Sequence, residues 1–232
     1  MNNHLEKDVL LVIPTLNEER AIGKIIKEIP NDFDVLIVDG GSKDKTVEIA
    51  HNNKIPIIDQ KFGKGKGCGV RTGMEEFLKR RQSTLCIIDG DGSNDPRELI
   101  KMNQIIKIGK AEVVLGSRTM GKREPDAMTS LTRTSNLFAS HLLSVRFLKS
   151  FTDVQTGYWS FSRSTVETIY PKLTAKGFEI EMDIFIKCNK YGIDCYEIPV
   201  RYRKREGSSK FSPSLRLRSL HYLMYYFIYS LI

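Results

Sequence analysis

The chain has 232 residues, 41% hydrophobic and 28% charged, a globular balance with room for one full α/β core and at most a small appendage. Its formal net charge of +8 favours anionic partners, and charge alone does not choose among nucleic acid, sugar nucleotide, lipid phosphate and an anionic membrane surface. Cys68, Cys86, Cys188 and Cys195 lack CxxC spacing, which excludes a zinc ribbon or disulfide framework and implies a reducing compartment. The start Met1-Asn2-Asn3-His4 has no apolar signal core, and no stretch offers the ~18 consecutive apolar residues that span a bilayer.

Apolar runs at 9–13, 35–38, 55–58, 85–88 and 113–115 predict five strands. Helical periodicity fills the intervals at 18–29, 43–52, 67–81 and 96–108, so the pattern reads as βαβ units and a mostly parallel sheet with helices on both faces. In such a sheet, ligands gather at the C-terminal ends of the strands. A longer helix is predicted over 126–150, with Leu131, Leu137, Leu142, Leu143 and Phe147 as its apolar positions, then a helix at 181–191 and a strand at 195–202. The tail 214–232 opens with Arg216 and Arg218 and runs into Leu220-His221-Tyr222-Leu223-Met224-Tyr225-Tyr226-Phe227. It reads equally as a helix packed on the domain or as an interfacial helix, because length does not separate the two. There are no internal repeats or low-complexity linkers.

The fourth run ends in Asp89-Gly90-Asp91-Gly92-Ser93, two carboxylates one residue apart with glycines beside them. Hard oxygen ligands of this kind suit Mg²⁺ or Mn²⁺ carrying a diphosphate. A calcium EF-hand loop is excluded, because its sixth position is Asn94 and its twelfth Ile100. A phosphohydrolase of the haloacid dehalogenase type remains open, with Asp89 as nucleophile and Asp91 as acid/base, although almost ninety residues precede the motif. So does a polar loop that merely leads into a helix at Asp95-Pro96.

Other strand ends are polar too: Pro14-Thr15-Leu16-Asn17-Glu18 after the first, Asp39-Gly40-Gly41-Ser42-Lys43-Asp44 after the second. Each is an ordinary turn and helix cap by itself. Together they outline a nucleotide cleft in which Asp39 and Glu18 can accept hydrogen bonds from a base or ribose. Neither GxGxxG nor GxxxxGK[ST] occurs, and the glycines at 63, 65, 67 and 69, with Lys64 and Lys66, read as a flexible basic turn entering a helix. Phosphate then falls to a metal and to cations, the candidates being Arg118, Arg133, Arg203, Arg205 and Lys210.

These motifs, with Gly116-Ser117-Arg118, resemble an inverting family 2 glycosyltransferase of GT-A fold. Asp153-Val154-Gln155-Thr156-Gly157-Tyr158, Gly177-Phe178-Glu179-Ile180-Glu181-Met182-Asp183-Ile184 and Gly207-Ser208-Ser209-Lys210 resemble its polyprenyl-phosphate hexosyltransferase branch. The resemblance implies an α/β GT-A domain, Rossmann-like, over residues 1–212, with a C-terminal amphipathic helix at 213–232. It implies that Pro14, Leu16, Glu18, Val38 and Asp39 hold the nucleoside of a donor such as GDP-mannose or UDP-glucose. Asp89 and Asp91 would hold Mg²⁺ or Mn²⁺ and the diphosphate, with Gly90 and Ser93 beside them. Arg203 or Arg205 and Lys210 would close over the donor; Asp91 and Arg118 are the expected catalytic groups, and Arg133 the holder of a polyprenyl or dolichyl phosphate. Gly40, in place of a second acid after Asp39, and Ser93, in place of a longer polar side chain, depart from the usual pattern.

A phosphate acceptor is already anionic near neutral pH and needs no general base, whereas a hydroxyl acceptor does. Glu179, Glu181 and Asp183 are available for that second role, so a transferase onto a sugar hydroxyl stays open. Attachment to the cytoplasmic face of a membrane through 214–232 is expected. Nucleic-acid binding is not, since no aromatic-basic platform is evident.

Overall fold

Residues 9–13 are apolar at every position, so neither face of a strand there tolerates water, and the segment becomes the buried strand β1 (Val9–Thr15). The computed structural model, which describes residues 7–207 and 213–229, pairs β1 in parallel with β2 (Phe33–Asp39), and β2 in parallel with β3 (Ile57–Asp59). On its other side β1 pairs in parallel with β4 (Thr84–Ile87). Strands β5 (Val113–Ser117), β6 (Trp159–Ser162) and β7 (Cys195–Pro199) complete the order β3-β2-β1-β4-β6-β5-β7, and only β6 runs antiparallel to its neighbours.

Alternation along β1 feeds two cores. Val9, Leu11 and Ile13 face helices α1 (Ile22–Glu28), α2 (Thr46–Asn52) and α4 (Leu99–Lys107). Leu10 and Val12 face α3 (Lys66–Leu78), α5 (Ser130–Phe147), α6 (Arg163–Ile169), α7 (Ile180–Lys190) and α8 (Pro213–Tyr229). Both faces of the sheet are therefore covered, as a parallel sheet requires. α8 lays Leu223 into the second core and rests Tyr226 against Phe147, ring centroids 6.4 Å apart, while His221, Met224 and Tyr225 face outward.

Two elements were not foreseen. β6 and α6 occupy 159–169, where Trp-Ser-Phe-Ser is too short and too polar on alternate positions to stand out as a strand. The reversed direction of β6 matters for the site: Trp159 pairs with both Ile87 and Leu115, so the segment just before it lies at the C-terminal ends of β4 and β5. The strand expected to reach residue 202 stops at Pro199. Tyr202 instead bridges Asn94 and Arg123, carrying the following residues across the same sheet edge.

Candidate functional site

The loops after β1 and β2 are bonded into one wall. Asn17, held in the left-handed region at φ 52, donates its N–H to Ser42 Oγ (2.7 Å) and accepts from Lys43 N–H at Oδ1 (2.7 Å). Glu18 N–H donates to Thr46 Oγ1 (2.8 Å), and Lys45 N–H to Glu19 Oε2 (3.1 Å). Asp39 is 3% exposed, and its carboxylate accepts from Thr15 Oγ1 (3.0 Å), Gly41 N–H (2.9 Å), Ser42 N–H (2.7 Å) and Ser42 Oγ (2.6 Å). Those four bonds fill a carboxylate's lone-pair positions, so Asp39 builds the wall in this structure. The Val38 side chain is fully buried in the core, so its backbone is what it offers at the strand end. Leu16 stays exposed and Pro14 half-buried at the mouth of the wall.

At the end of β4, the two carboxylates meet two different cations. Lys66, first residue of α3, places Nζ 2.5 Å from Asp89 Oδ1 and also pairs with Glu181 Oε1. Burial opposes its charge, but the two carboxylates outweigh that and raise it above the ordinary lysine range. Asp91 Oδ1 accepts from Ser93 N–H (3.0 Å) and Ser93 Oγ (2.6 Å), which fixes the carboxylate's rotation, while Oδ2 lies 3.4 Å from Arg205 NH1. Arg205 NH2 is 3.9 Å from Glu18 Oε1, and its Nε has no hydrogen-bond partner. These contacts are loose for a guanidinium, which leaves donors for another anion. Arg205 is brought there by backbone bonds, Arg203 N–H to the Ser93 carbonyl (2.8 Å) and Glu206 N–H to the Asp91 carbonyl (2.9 Å).

Lys66 was missed because its glycine neighbours read as a flexible turn. They are close-packing positions: a Cβ on Gly67 would sit 2.5 Å from the Ala175 carbonyl, and Gly67 N–H donates to the Gly177 carbonyl (3.1 Å). Gly157, in the segment delivered by β6, is bare for a similar reason. A Cβ there would lie 2.3 Å from Asp89 Oδ2. Gly90 abuts Thr15 and the Pro14 carbonyl, joining the carboxylates to the wall.

The other candidate cations separate. Arg118 forks onto the fully buried Asp153, with Nε to Oδ2 and NH2 to Oδ1 both 2.7 Å, donates from NH2 to the Gln155 carbonyl (2.9 Å), and lies over the Tyr202 ring. Burial works against its charge; Asp153 outweighs burial, with a smaller contribution from Asp89, so it sits beside the carboxylate pair already committed to Asp153. Arg203 is engaged on both sides. Its NH1 donates to Glu28 Oε2 (2.6 Å) and its NH2 pairs with Asp95, so both ends of the fork are taken by carboxylates. Arg133 is exposed on the first turns of α5, in a surface groove shared with Gly121, Arg123, Glu124, Asp126, Met128 and Ser130. Lys210 lies outside the described residues.

Glu179 accepts from Gly177 N–H (3.0 Å), Glu181 is taken by Lys66, and Asp183 accepts from Thr174 N–H (2.8 Å) and Ala175 N–H (3.0 Å). All three are buried, at 3%, 5% and 0% exposure. The acids at the start of α7 thus fold the 174–179 loop and hold Lys66.

Against known proteins, the family model described as glycosyl transferase family 2 matches residues 10–170. This chain belongs to that family. As a family 2 glycosyltransferase it is 27% identical over 220 residues to the polyprenol monophosphomannose synthase of Mycolicibacterium smegmatis, covering 88% of this chain and 81% of that one. It is 28% identical over 215 residues to the UDP-N-acetylglucosamine–dolichyl-phosphate N-acetylglucosaminyltransferase of Methanococcus voltae, covering 84% and 86%. The fold matches the crystal structure of glucosyl-3-phosphoglycerate synthase from Mycobacterium tuberculosis in complex with Mn²⁺ and uridine-diphosphate-glucose, with TM-score 0.75, 16% identity and 96% and 79% covered. The GT-A expectation is thereby met, and the phosphohydrolase reading of Asp89 is set aside.

Proposed function

We propose that this glycosyltransferase moves a hexose from a nucleotide sugar, GDP-mannose or UDP-glucose, to a polyprenyl or dolichyl phosphate, inverting the anomeric carbon. The observation that carries the phosphate acceptor is the burial of Glu179, Glu181 and Asp183, which hold the 174–179 loop and Lys66, with Asp183 Oδ1 enclosed and unpartnered. A hydroxyl acceptor would need a carboxylate free to take its proton, and a phosphate monoester would not. Relatives named for polyprenyl and dolichyl phosphate point the same way.

Asp89 and Asp91 fit a divalent ion of the Mg²⁺ or Mn²⁺ kind. They offer hard oxygens at the end of β4, and Ser93 fixes the rotation of the Asp91 carboxylate, which fits an ion shared with substrate phosphates. When bound, such an ion supplies charge neutralisation to the diphosphate leaving group. Lys66 and Arg205 do the same from the protein side: both are held at the carboxylates, and each can turn toward the diphosphate as negative charge builds on it. Pro14, Leu16 and the Asp39-built wall flank the nucleoside, with Glu18 between wall and Arg205. Arg118, fixed by Asp153 and near enough to feel the Asp89 charge, is assigned to the sugar, and Arg133 with Arg123 to the acceptor phosphate. Lys210 stays a donor contact on the sequence resemblance.

The division at residue 212 and attachment to a cytoplasmic membrane face belong to the same reading. Among the described residues no helix is long and apolar enough to cross a membrane. The test is a radiolabelled donor panel with polyprenyl phosphate and Mg²⁺ or Mn²⁺, scored for lipid-extractable, mild-acid-labile sugar. One donor is expected to label the lipid in a metal-dependent way. No label from any donor, or label only on a sugar hydroxyl, overturns the reading.

A further inference from the structure

One lysine joins the carboxylates at the end of β4 to the loop that anchors α3. Gly67 N–H donates to the Gly177 carbonyl (3.1 Å) and Cys68 N–H to the Lys176 carbonyl (3.2 Å), so the backbone around Lys66 is tied to the 174–179 loop. From that fixed root its ammonium reaches three groups. Asp89 Oδ1 lies 2.5 Å from Nζ, Glu181 Oε1 pairs with it from the first turn of α7, and the Phe178 ring stands beside it, its centroid 5.9 Å from Nζ. Glu181 and Phe178 belong to the anchoring loop and helix, whereas Asp89 belongs to the site.

This placement sets up a competition. A divalent ion that uses Asp89 needs the oxygen Lys66 holds, and the other oxygen is confined, because the Gly157 backbone lies so close to Oδ2 that no side chain fits there. An ammonium and a divalent ion on one carboxylate repel each other, and with only 14% of the Lys66 side chain exposed, solvent screens that repulsion weakly. Asp91 presents less of a barrier: Arg205 NH1 stands 3.4 Å away on a more exposed side chain. A diphosphate changes the balance at Asp89. Its oxygens offer the ammonium a second anion, while Glu181 keeps its hold and spares the charge from burial without a partner. Asp89 Oδ1 is then released.

We propose that Lys66 gates the divalent-ion position: it exchanges Asp89 for the donor diphosphate, with Glu181 as its constant partner, so that metal and nucleotide enter together and metal alone is disfavoured. Linkage makes the effect reciprocal, since the factor by which nucleotide tightens metal is the factor by which metal tightens nucleotide. The proposal rests on the reading of Asp89 and Asp91 as holders of metal and diphosphate, and is independent of the acceptor.

The test is calorimetric titration of Mn²⁺, with and without GDP or UDP, into the native chain, Lys66→Met, Glu181→Gln and the double variant. The native chain should bind Mn²⁺ weakly alone and about 30-fold more tightly with one of the two nucleotides. Lys66→Met should bind Mn²⁺ alone about tenfold more tightly than the native chain, and its coupling to nucleotide should fall by a similar factor. Glu181→Gln, which leaves Lys66 with Asp89 only, should weaken binding of Mn²⁺ alone roughly threefold. A lysine that merely props the site open would weaken Mn²⁺ binding when removed. Because Lys66→Met leaves Glu181 buried and unpaired, loss of its circular-dichroism melt passes the test to Lys66→Met/Glu181→Gln, with the same tenfold gain expected. Adding Asp89→Asn should abolish that gain. Unchanged or weaker binding of Mn²⁺ alone in the folded Lys66 variant overturns the proposal, as does a gain that survives Asp89→Asn, tighter binding in Glu181→Gln, or native binding that neither nucleotide tightens. Intact coupling with no sugar passed to polyprenyl phosphate would count against the acceptor reading alone.

Discussion

Cations on the two sides of the 91–95 segment behave differently. Behind it, Arg203 is clamped between the half-buried Glu28 and the buried Asp95, and at the end of β5 Arg118 is forked onto the buried Asp153, all by short bonds. In front of it, Lys66 and Arg205 meet Asp89 and Asp91, and the Arg205 contacts are long, with one guanidinium nitrogen unpartnered. The first pair is rigidly held, with Arg118 pinned beside Asp89. The second sits where a ligand's phosphates and a metal would rearrange it. Sequence type does not distinguish them, since three of the four are arginines near a strand end; what distinguishes them is whether the opposing carboxylates belong to the scaffold or to the site.

The sharpest way to break this contrast is Asp91→Asn. It should lower kcat about 10³-fold with the melting temperature nearly unchanged, because the lost charge serves the leaving group and not the fold; steady-state rates beside thermal melts decide it. Asp153→Asn should do the reverse in kind. Arg118 would be left buried without its partner, at a cost of about 3 kcal/mol and a fall in Tm of roughly 10 °C, read by calorimetry. Lys66→Ala is expected to cost about 10²-fold in kcat/KM, with donor KM and metal dependence both changed, as a titration of donor at several metal concentrations would reveal. A Lys66→Ala variant with native kinetics and a lowered Tm would move Lys66 into the scaffold group.

The smallest effect concerns acid. Arg97 and Arg203 hold the Asp95 carboxyl at about 2, overcoming the burial that would raise it. Its folded value lies below the unfolded one, so the group adds stability above pH ~4 and loses it as pH falls toward 2, about 2 kcal/mol in all. Asp95→Asn should therefore be less stable than the native chain at pH 7, and the gap in denaturant midpoint should close by pH 2. A constant gap across that range would mean that Asp95 contributes through packing and not through charge.

Much of this architecture is legible locally. Runs such as 9–13 and 85–88, apolar on both faces, read as central strands, and the carboxylates, Ser and Asn that follow them fall at the C-terminal edge of the parallel sheet. Short amphipathic stretches between them specify the covering helices, with boundaries off by a few residues where caps are weak. What escaped is of another kind. β6 is four residues long and recognisable only by its partners β4 and β5, so its reversed direction, and the delivery of Asp153 and Gly157 to the site, belongs to pairing between distant segments.

The amino-acid sequence by itself determined the family, the parallel half of the sheet and the position of Asp89 and Asp91, because strand periodicity and motif spacing are properties of neighbouring residues. Only the tertiary structure decided which cations serve those carboxylates. Lys66 joined them because glycines let α3 approach the 174–179 loop, Arg203 left because Glu28 and Asp95 captured it, and Asp39 closed its own wall. Ion pairs and saturated carboxylates depend on groups far apart in the chain, and their geometry exists only once the sheet has brought them together.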